Sequence, residues 1–289
     1  MATEALVIEP TPALQLSVAT GIIEPRRQRV ELGGTLIDRV DRAAAVDRIR
    51  HLLSSGTSHQ IVTVNLDFLS IAARNVRFQQ TINAADLAVP DGMPLVWLSR
   101  LKGQPMTERV TGVDLVDDCC QIAAEAGVGV FLLGAAPGVA DEAAIELERR
   151  HPGLRVVGTY SPPIGELDAR EDTEMVQRVR DAAPGFLFVA LGAPRQDLWI
   201  RDHLAQLQVP VSMGIGCVLD LLAGSVTRAP VWMQRAGLEW AYRLANEPGR
   251  LWRRYLLKDL PTLARLVLDT TRDADTGPDL DADPMVALT

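Results

Sequence analysis

The stretch GFLFVALGAPRQDLWIRDHLAQ, residues 185–206, decides the fold. Gly185–Leu191 is an apolar run of strand length that ends at Gly192, and Pro194 suits a first helical turn. From Arg195 to Gln206 the apolar residues then follow a helical period. The same change of pattern recurs on either side. His59–Val64 (HQIVTV) ends at Asn65, and Asp86–Val89 ends in Pro90-Asp91-Gly92 before the apolar helix Met93–Leu101. Val128–Leu133 ends at Gly134 ahead of a helical Pro137–Arg150, Leu154–Tyr160 is β-rich, and Val209–Ile215 runs into Gly216. Alternating strands and helices predict an α/β fold, a mostly parallel sheet with helices on both faces. Ligands of such sheets sit beyond the carboxyl ends of the strands, where these polar and glycine-rich turns fall.

The chain has 289 residues, 47% hydrophobic and 23% charged, which excludes a wholly disordered or collagen-like protein. Its 29 Lys and Arg against 37 Asp and Glu leave a net charge of −8, so nucleic acid is not an expected partner. Cys119, Cys120 and Cys217 match neither a zinc spacing nor a disulfide framework and suit a reducing compartment. With no signal-peptide pattern and no apolar run of about 18 residues, the expected location is cytoplasmic, without a membrane span.

Four segments follow. Residues 1–29, with Pro10, Pro12 and Pro25, read as a mobile arm, and 30–226 as the α/β core. Residues 227–268 read as a basic, Trp-rich helical appendage; between 227 and 258, seven basic residues face two acidic ones, a net +5 that leaves −13 for the remainder. Trp232, Trp240 and Trp252 fall in the same segment, a composition suited to a membrane interface or to a basic helix face in solvent. Residues 269–289 hold six aspartates and one arginine and read as a disordered tail, since the alternating Asp279, Asp281 and Asp283 lack the glycine and glutamate of a calcium loop.

Each motif carries two readings. Asp91 is either the cap of the helix that follows it or a carboxylate facing the crevice as a general base. Thr63 and Asn65 end a strand with groups that suit a sugar or nucleotide hydroxyl, and Asn65 equally suits a helix cap. Arg109 either grips a phosphate or makes a salt bridge. Gly134, Gly192 and Gly214 let backbone approach an anion or let helix pack on strand. Arg195 and Gln196 suit phosphate or uracil, or a capped surface helix. Neither an Asp-x-Asp after a strand nor clustered histidines provide a metal site, and there is no nucleophile elbow.

The runs NLDFLSIAARN, PDGMPLVW, ERVTGVDL, FLLGAAPGVA, ALGAPRQDLWI, MGIGCVLDLLAG and RAPVWMQRAGLEWAYRLANEPGRLWRRYL follow one another in this order. Over roughly residues 30–265 they closely resemble the WecG/TagA/CpsF family of bacterial glycosyltransferases. The resemblance implies a Rossmann-like core with a C-terminal helical appendage. It also implies inverting, metal-independent transfer of one sugar from a UDP-sugar to a polyprenyl-diphosphate-linked sugar in surface polysaccharide assembly, with no cofactor. N-acetylmannosamine, its uronic acid and glucose are the sugars it suggests. Asp91 matches the family's base. Thr63, Asn65, Arg109 and Gln196 match groups lining the pocket, and Arg243, Arg250 and Arg253 match arginines that close over it. The expected place is the cytoplasmic face of the membrane, held peripherally, with the oligomeric state left open. Two rivals remain: a Rossmann-type oxidoreductase, although HQIVTVNLDF lacks the glycine fingerprint, and a non-catalytic membrane adaptor.

Overall fold

The structure is a computed structural model that describes residues 27–163, 165 and 168–275. Strands β1 (Arg29–Leu32) and β2 (Thr35–Asp38) form an antiparallel ribbon. Strands β3 (His59–Val64), β4 (Leu87–Pro90), β5 (Gly129–Gly134), β6 (Arg155–Tyr160), β7 (Phe186–Ala190) and β8 (Val211–Gly214) form one all-parallel sheet, ordered β4-β3-β8-β7-β5-β6.

Side-chain alternation explains why the inner strands read as unbroken apolar runs. Ile61, Val130, Leu132, Phe186 and Phe188 point to one face and join a core with helices Arg42–Ser54, Gly112–Ala126 and Val139–Arg150. Val62 and Val64 point the other way, onto helices Leu66–Ala72 and Val76–Asn83. Phe131, Leu133, Leu187 and Val189 do the same beneath helices Ala169–Ala182 and Arg195–Leu207. A strand covered on both faces has no polar side to display. Each fully buried Phe, Leu or Val contributes roughly 1.5–3 kcal/mol.

The two ends of the chain differ from the expected boundaries. The arm was expected to reach residue 29, yet β1 begins there, and Arg27 and Arg29 both ion-pair with the buried Asp38 at 2.5 and 3.3 Å. Asp38 also accepts the Ala88 N–H at 2.7 Å, which ties the ribbon to β4. The ribbon turns at Gly33-Gly34, whose φ values of 58° and 80° belong to the left-handed region that glycine enters freely. At the other end, helix Leu260–Asp275 continues into the segment read as a tail. Its Leu266 is 4% exposed and packs with Val30, Leu32 and Ile37, so the last helix completes the core. Residues 1–26 and 276–289 lie outside the described residues.

Candidate active site

A cleft of about 840 Å³ opens beyond the carboxyl ends of β3, β4, β7 and β8, and the helices after residue 230 form its opposite wall. Asp91 sits at its base, directly after β4. The Asp91 N–H donates to the Val64 carbonyl at 2.7 Å, extending the β3–β4 pairing, and the Val110 N–H donates to the Pro90 carbonyl at 2.9 Å. The loop before helix Gly112–Ala126 is thereby fastened to the strand that carries Asp91. Gly92, not Asp91, occupies the N-cap of helix Met93–Leu101, and no side chain caps it. The Asp91 carboxylate instead accepts the Gly112 N–H at 3.2 Å, at the start of a different helix.

Thr63 converges on the same point. A methyl group on Gly112 would lie 3.5 Å from Thr63 Oγ1 and 3.6 Å from Asp91 Oδ2, so the absent side chain keeps this corner open. Burial pushes the Asp91 carboxyl up to about 6, with Glu239 adding to the rise. The Gly112 N–H and the charges of Arg109 and Arg243 oppose it. A carboxyl held there is mostly ionised at neutral pH yet more basic than one in water, which suits a proton acceptor.

The other expected residues divide. Asn65 lines the cleft and caps helix Leu66–Ala72, its Oδ1 accepting the Phe68 N–H at 3.2 Å, as the cap reading expects. Arg109 lines the cleft and pairs with Glu239 of the opposite wall at 3.0 Å. Gln196 is buried, and its Oε1 accepts the N–H groups of Gly192 and Gly216, each at 3.1 Å, which clamps the loops after β7 and β8 together. Arg243 reaches the cleft and donates to Cys217 Sγ. Gly192 is on the cleft wall, whereas Gly134 and Gly214 lie behind it. A Cβ on Gly134 would strike the Ala190 carbonyl oxygen at 2.5 Å, and one on Gly214 would come within 2.6 Å of Gln196 and Asp197. Arg253 is exposed, its guanidinium 5.4 Å from the Trp252 ring centre and away from the cleft. The Arg250 side chain lies outside the described residues.

Four residues of the site escaped the sequence reading. Glu239 was only one of two acids in a basic segment, and that isolation was the available signal. Asp67, Arg254 and Asp259 line the cleft together, with Arg254 Nη1 3.5 Å from Asp67 and Nε 3.8 Å from Asp259. Nothing in their spacing links Asp67 to residues almost two hundred positions later. Among the described residues, no three His, Cys, Asp or Glu side chains gather as a metal site.

Residues 30–275 match the glycosyl transferase WecG/TagA/CpsF family. Two similar curated proteins, from Staphylococcus aureus strains MW2 and NCTC 8325 / PS 47, are each named N-acetylglucosaminyldiphosphoundecaprenol N-acetyl-beta-D-mannosaminyltransferase. Each is 31% identical over 235 residues, covering 81% of this chain and 89% of the relative.

Proposed function

The chain belongs to the WecG/TagA/CpsF family of glycosyltransferases, and from that premise we propose that it moves one sugar from a UDP-sugar to a polyprenyl-diphosphate-linked sugar. The relatives' names favour N-acetylmannosamine as the sugar and N-acetylglucosamine as the ring that receives it. The observation that carries the reading is the Asp91 carboxylate, raised to about 6 and open to a cleft whose facing walls bring Arg109 and Arg243 close to it.

The transfer is a single in-line displacement with inversion. Asp91 takes the proton of the acceptor hydroxyl as that oxygen bonds to the anomeric carbon. The bond from that carbon to the diphosphate breaks, and UDP leaves with the electron pair. Arg109 and Arg243 neutralise the charge that grows on the diphosphate, and Arg250 and Arg253 join them when the appendage closes. Guanidinium groups there replace a divalent ion. Thr63, Asn65 and Gln196 orient the substrates, Gln196 by holding the Gly192 and Gly216 loops at their spacing.

The lipid acceptor calls for contact with the cytoplasmic face of the membrane. Among the described residues no helix is long and apolar enough to cross one. The appendage exposes Trp232, Trp252 and Leu257 beside its basic residues, a surface suited to peripheral binding of anionic lipid. The test is to incubate the full chain, in EDTA, with a panel of UDP-sugars and a polyprenyl-diphosphate-N-acetylglucosamine analogue. UDP release that depends on the acceptor is the expected result. No release from any donor would overturn the reading, and rescue by magnesium alone would overturn its metal-free form.

A further inference from the structure

We propose that Asp67, Arg254, Tyr255 and Asp259, with the Trp240 ring, form a subsite for the pyranose ring of one of the two substrates; the inference rests on the function proposed above. The first support is Asp259. It is 5% exposed, it lies on the cleft wall, and its Oδ1 has no hydrogen-bond partner. A buried acceptor without a partner is uncommon and calls for an explanation. A sugar hydroxyl entering the cleft supplies the missing donor.

The second support is the backbone that places it. Tyr255–Asp259 is a π-helical turn, with the Leu260 N–H donating to the Tyr255 carbonyl. Such turns inside α-helices are found frequently at functional sites. This one puts Tyr255 and Asp259 together on the cleft wall. Asp67 meets them from the core side, two residues beyond Asn65.

The chemistry of the cluster selects its ligand. Arg254 stands between the two carboxylates at 3.5 and 3.8 Å, far enough to leave both with free lone pairs, and donates to the Tyr255 hydroxyl at 3.2 Å. The Tyr255 and Trp240 rings meet edge to face at 6.3 Å, and both line the cleft. Carboxylate acceptors beside aromatic faces fit a sugar, whose hydroxyls donate while its C–H face covers a ring. Two carboxylates around one guanidinium do not fit a diphosphate, which belongs with Arg109 and Arg243. Burial, with the Asp67 charge adding to it, pushes the Asp259 carboxyl up to about 7 against the pull of Arg254 and Lys258, so it can accept or donate near neutral pH.

The test uses the full chain and its Asp259→Ala and Asp67→Ala variants, each checked for a wild-type melting curve. UDP and a UDP-N-acetylhexosamine are titrated calorimetrically, and the KM for a short-chain polyprenyl-diphosphate-N-acetylglucosamine is measured in detergent. If the donor ring occupies the subsite, affinity for the UDP-sugar falls about tenfold or more while affinity for UDP holds. If the acceptor ring occupies it, both nucleotide affinities hold and the acceptor KM rises by a similar factor with kcat retained. Asp259→Asn, which keeps an acceptor oxygen, should recover part of either loss. Should Asp259→Ala fail to fold, Asp67→Ala and Tyr255→Phe decide the matter by the same readouts. Unchanged values in every assay, or equal losses for UDP and UDP-sugar, would overturn the subsite. A wild-type chain that neither binds nor transfers any UDP-sugar would overturn the proposed function and the subsite with it, whereas active wild type with indifferent variants would overturn the subsite alone.

Discussion

The two walls of the cleft are built to different standards. On the core side the ends of β3, β4, β7 and β8 are buried almost throughout, and the helices that follow β3 and the Arg109 loop begin at side-chain caps, Asn65 and Thr111, although those after β4, β7 and β8 do not. On the appendage side the helices Val231–Arg235, Glu239–Asn246 and Pro248–Arg254 start without a side-chain cap, and among their described side chains only Leu251 is buried. That wall meets the core through ion pairs, Arg109–Glu239, Arg228–Asp114 and Arg254–Asp67. A helix cap contributes typically about 1 kcal/mol and a solvent-accessible ion pair about 0–1 kcal/mol. Asp91 and Arg109 therefore stand on the more buried wall, while Glu239, Arg243 and Arg254 stand on the wall that is cheaper to move.

The largest expected effect is on the rigid side. Asp91→Asn should lower kcat by about 10²–10⁴ and leave affinity for the UDP-sugar nearly unchanged. In the wild type, kcat/KM should rise with pH through about 6 and level off above it, because the base works deprotonated. Near-normal turnover in the variant would move the base elsewhere and blur the distinction between the walls.

Next comes the point where the C-terminal region is truly part of the core. Leu266→Ala removes a side chain packed on the β1–β2 ribbon and should cost about 2–5 kcal/mol in urea unfolding. Trp232→Ala, at a side chain 64% exposed, should stay within about 0.5 kcal/mol. Equal losses would mean that the last helix is packed no more firmly than the exposed face of the appendage.

A smaller effect tests the buried charge behind the rigid wall. Asp197 is fully buried, and burial pushes its carboxyl up to about 7 against the opposing effects of the Gln196 side chain and its own backbone N–H. Its pKa in the unfolded chain is about 3.9. Between those values the folded state holds more protons, so this group's stabilising contribution is complete below about pH 4 and is lost as pH rises through about 7. The slope is at most about 1.4 kcal/mol per pH unit. Asp91 and Asp259 act in the same direction. Asp197→Asn should make the fall in stability from pH 5 to 8 shallower than in the wild type; parallel curves would show that the carboxyl titrates normally.

The smallest effect concerns an ion pair that joins the walls. A double-mutant cycle with Arg109→Gln and Glu239→Gln should give a coupling of roughly 0.5–1 kcal/mol in stability. The coupling should shrink once UDP-sugar is bound, since Arg109 then turns to the diphosphate. Coupling that is indifferent to nucleotide would leave Arg109 as a strut.

How much was legible follows from where the information lies along the chain. The parallel strands were readable because burial on both faces leaves apolar runs that stop at polar or glycine turns. The core expected from residue 30 contains all of the β1–β2 ribbon except Arg29, yet its two strands are only four residues long and stand outside the strand–helix alternation, so Gly33-Gly34 between two β-rich runs is the one hairpin signal there. Helix Leu260–Asp275 was cut short because its last residues are acidic, and local charge says nothing about Leu266 returning to Val30 and Leu32.

By itself the sequence determined which residues form the six parallel strands, that polar and glycine turns stand at their ends, and that Asp91 is a carboxylate available there. Those properties depend on neighbours within a few positions, through side-chain period and backbone conformation. Only the tertiary structure decided that Asp91 faces the start of helix Gly112–Ala126 and not the helix it precedes. It alone paired Arg109 with Glu239, 130 positions away, and set Asp67 against Arg254 and Asp259. Those outcomes depend on which loops the strand order brings together and on how far burial there strips water from a charge, and neither is written in local spacing.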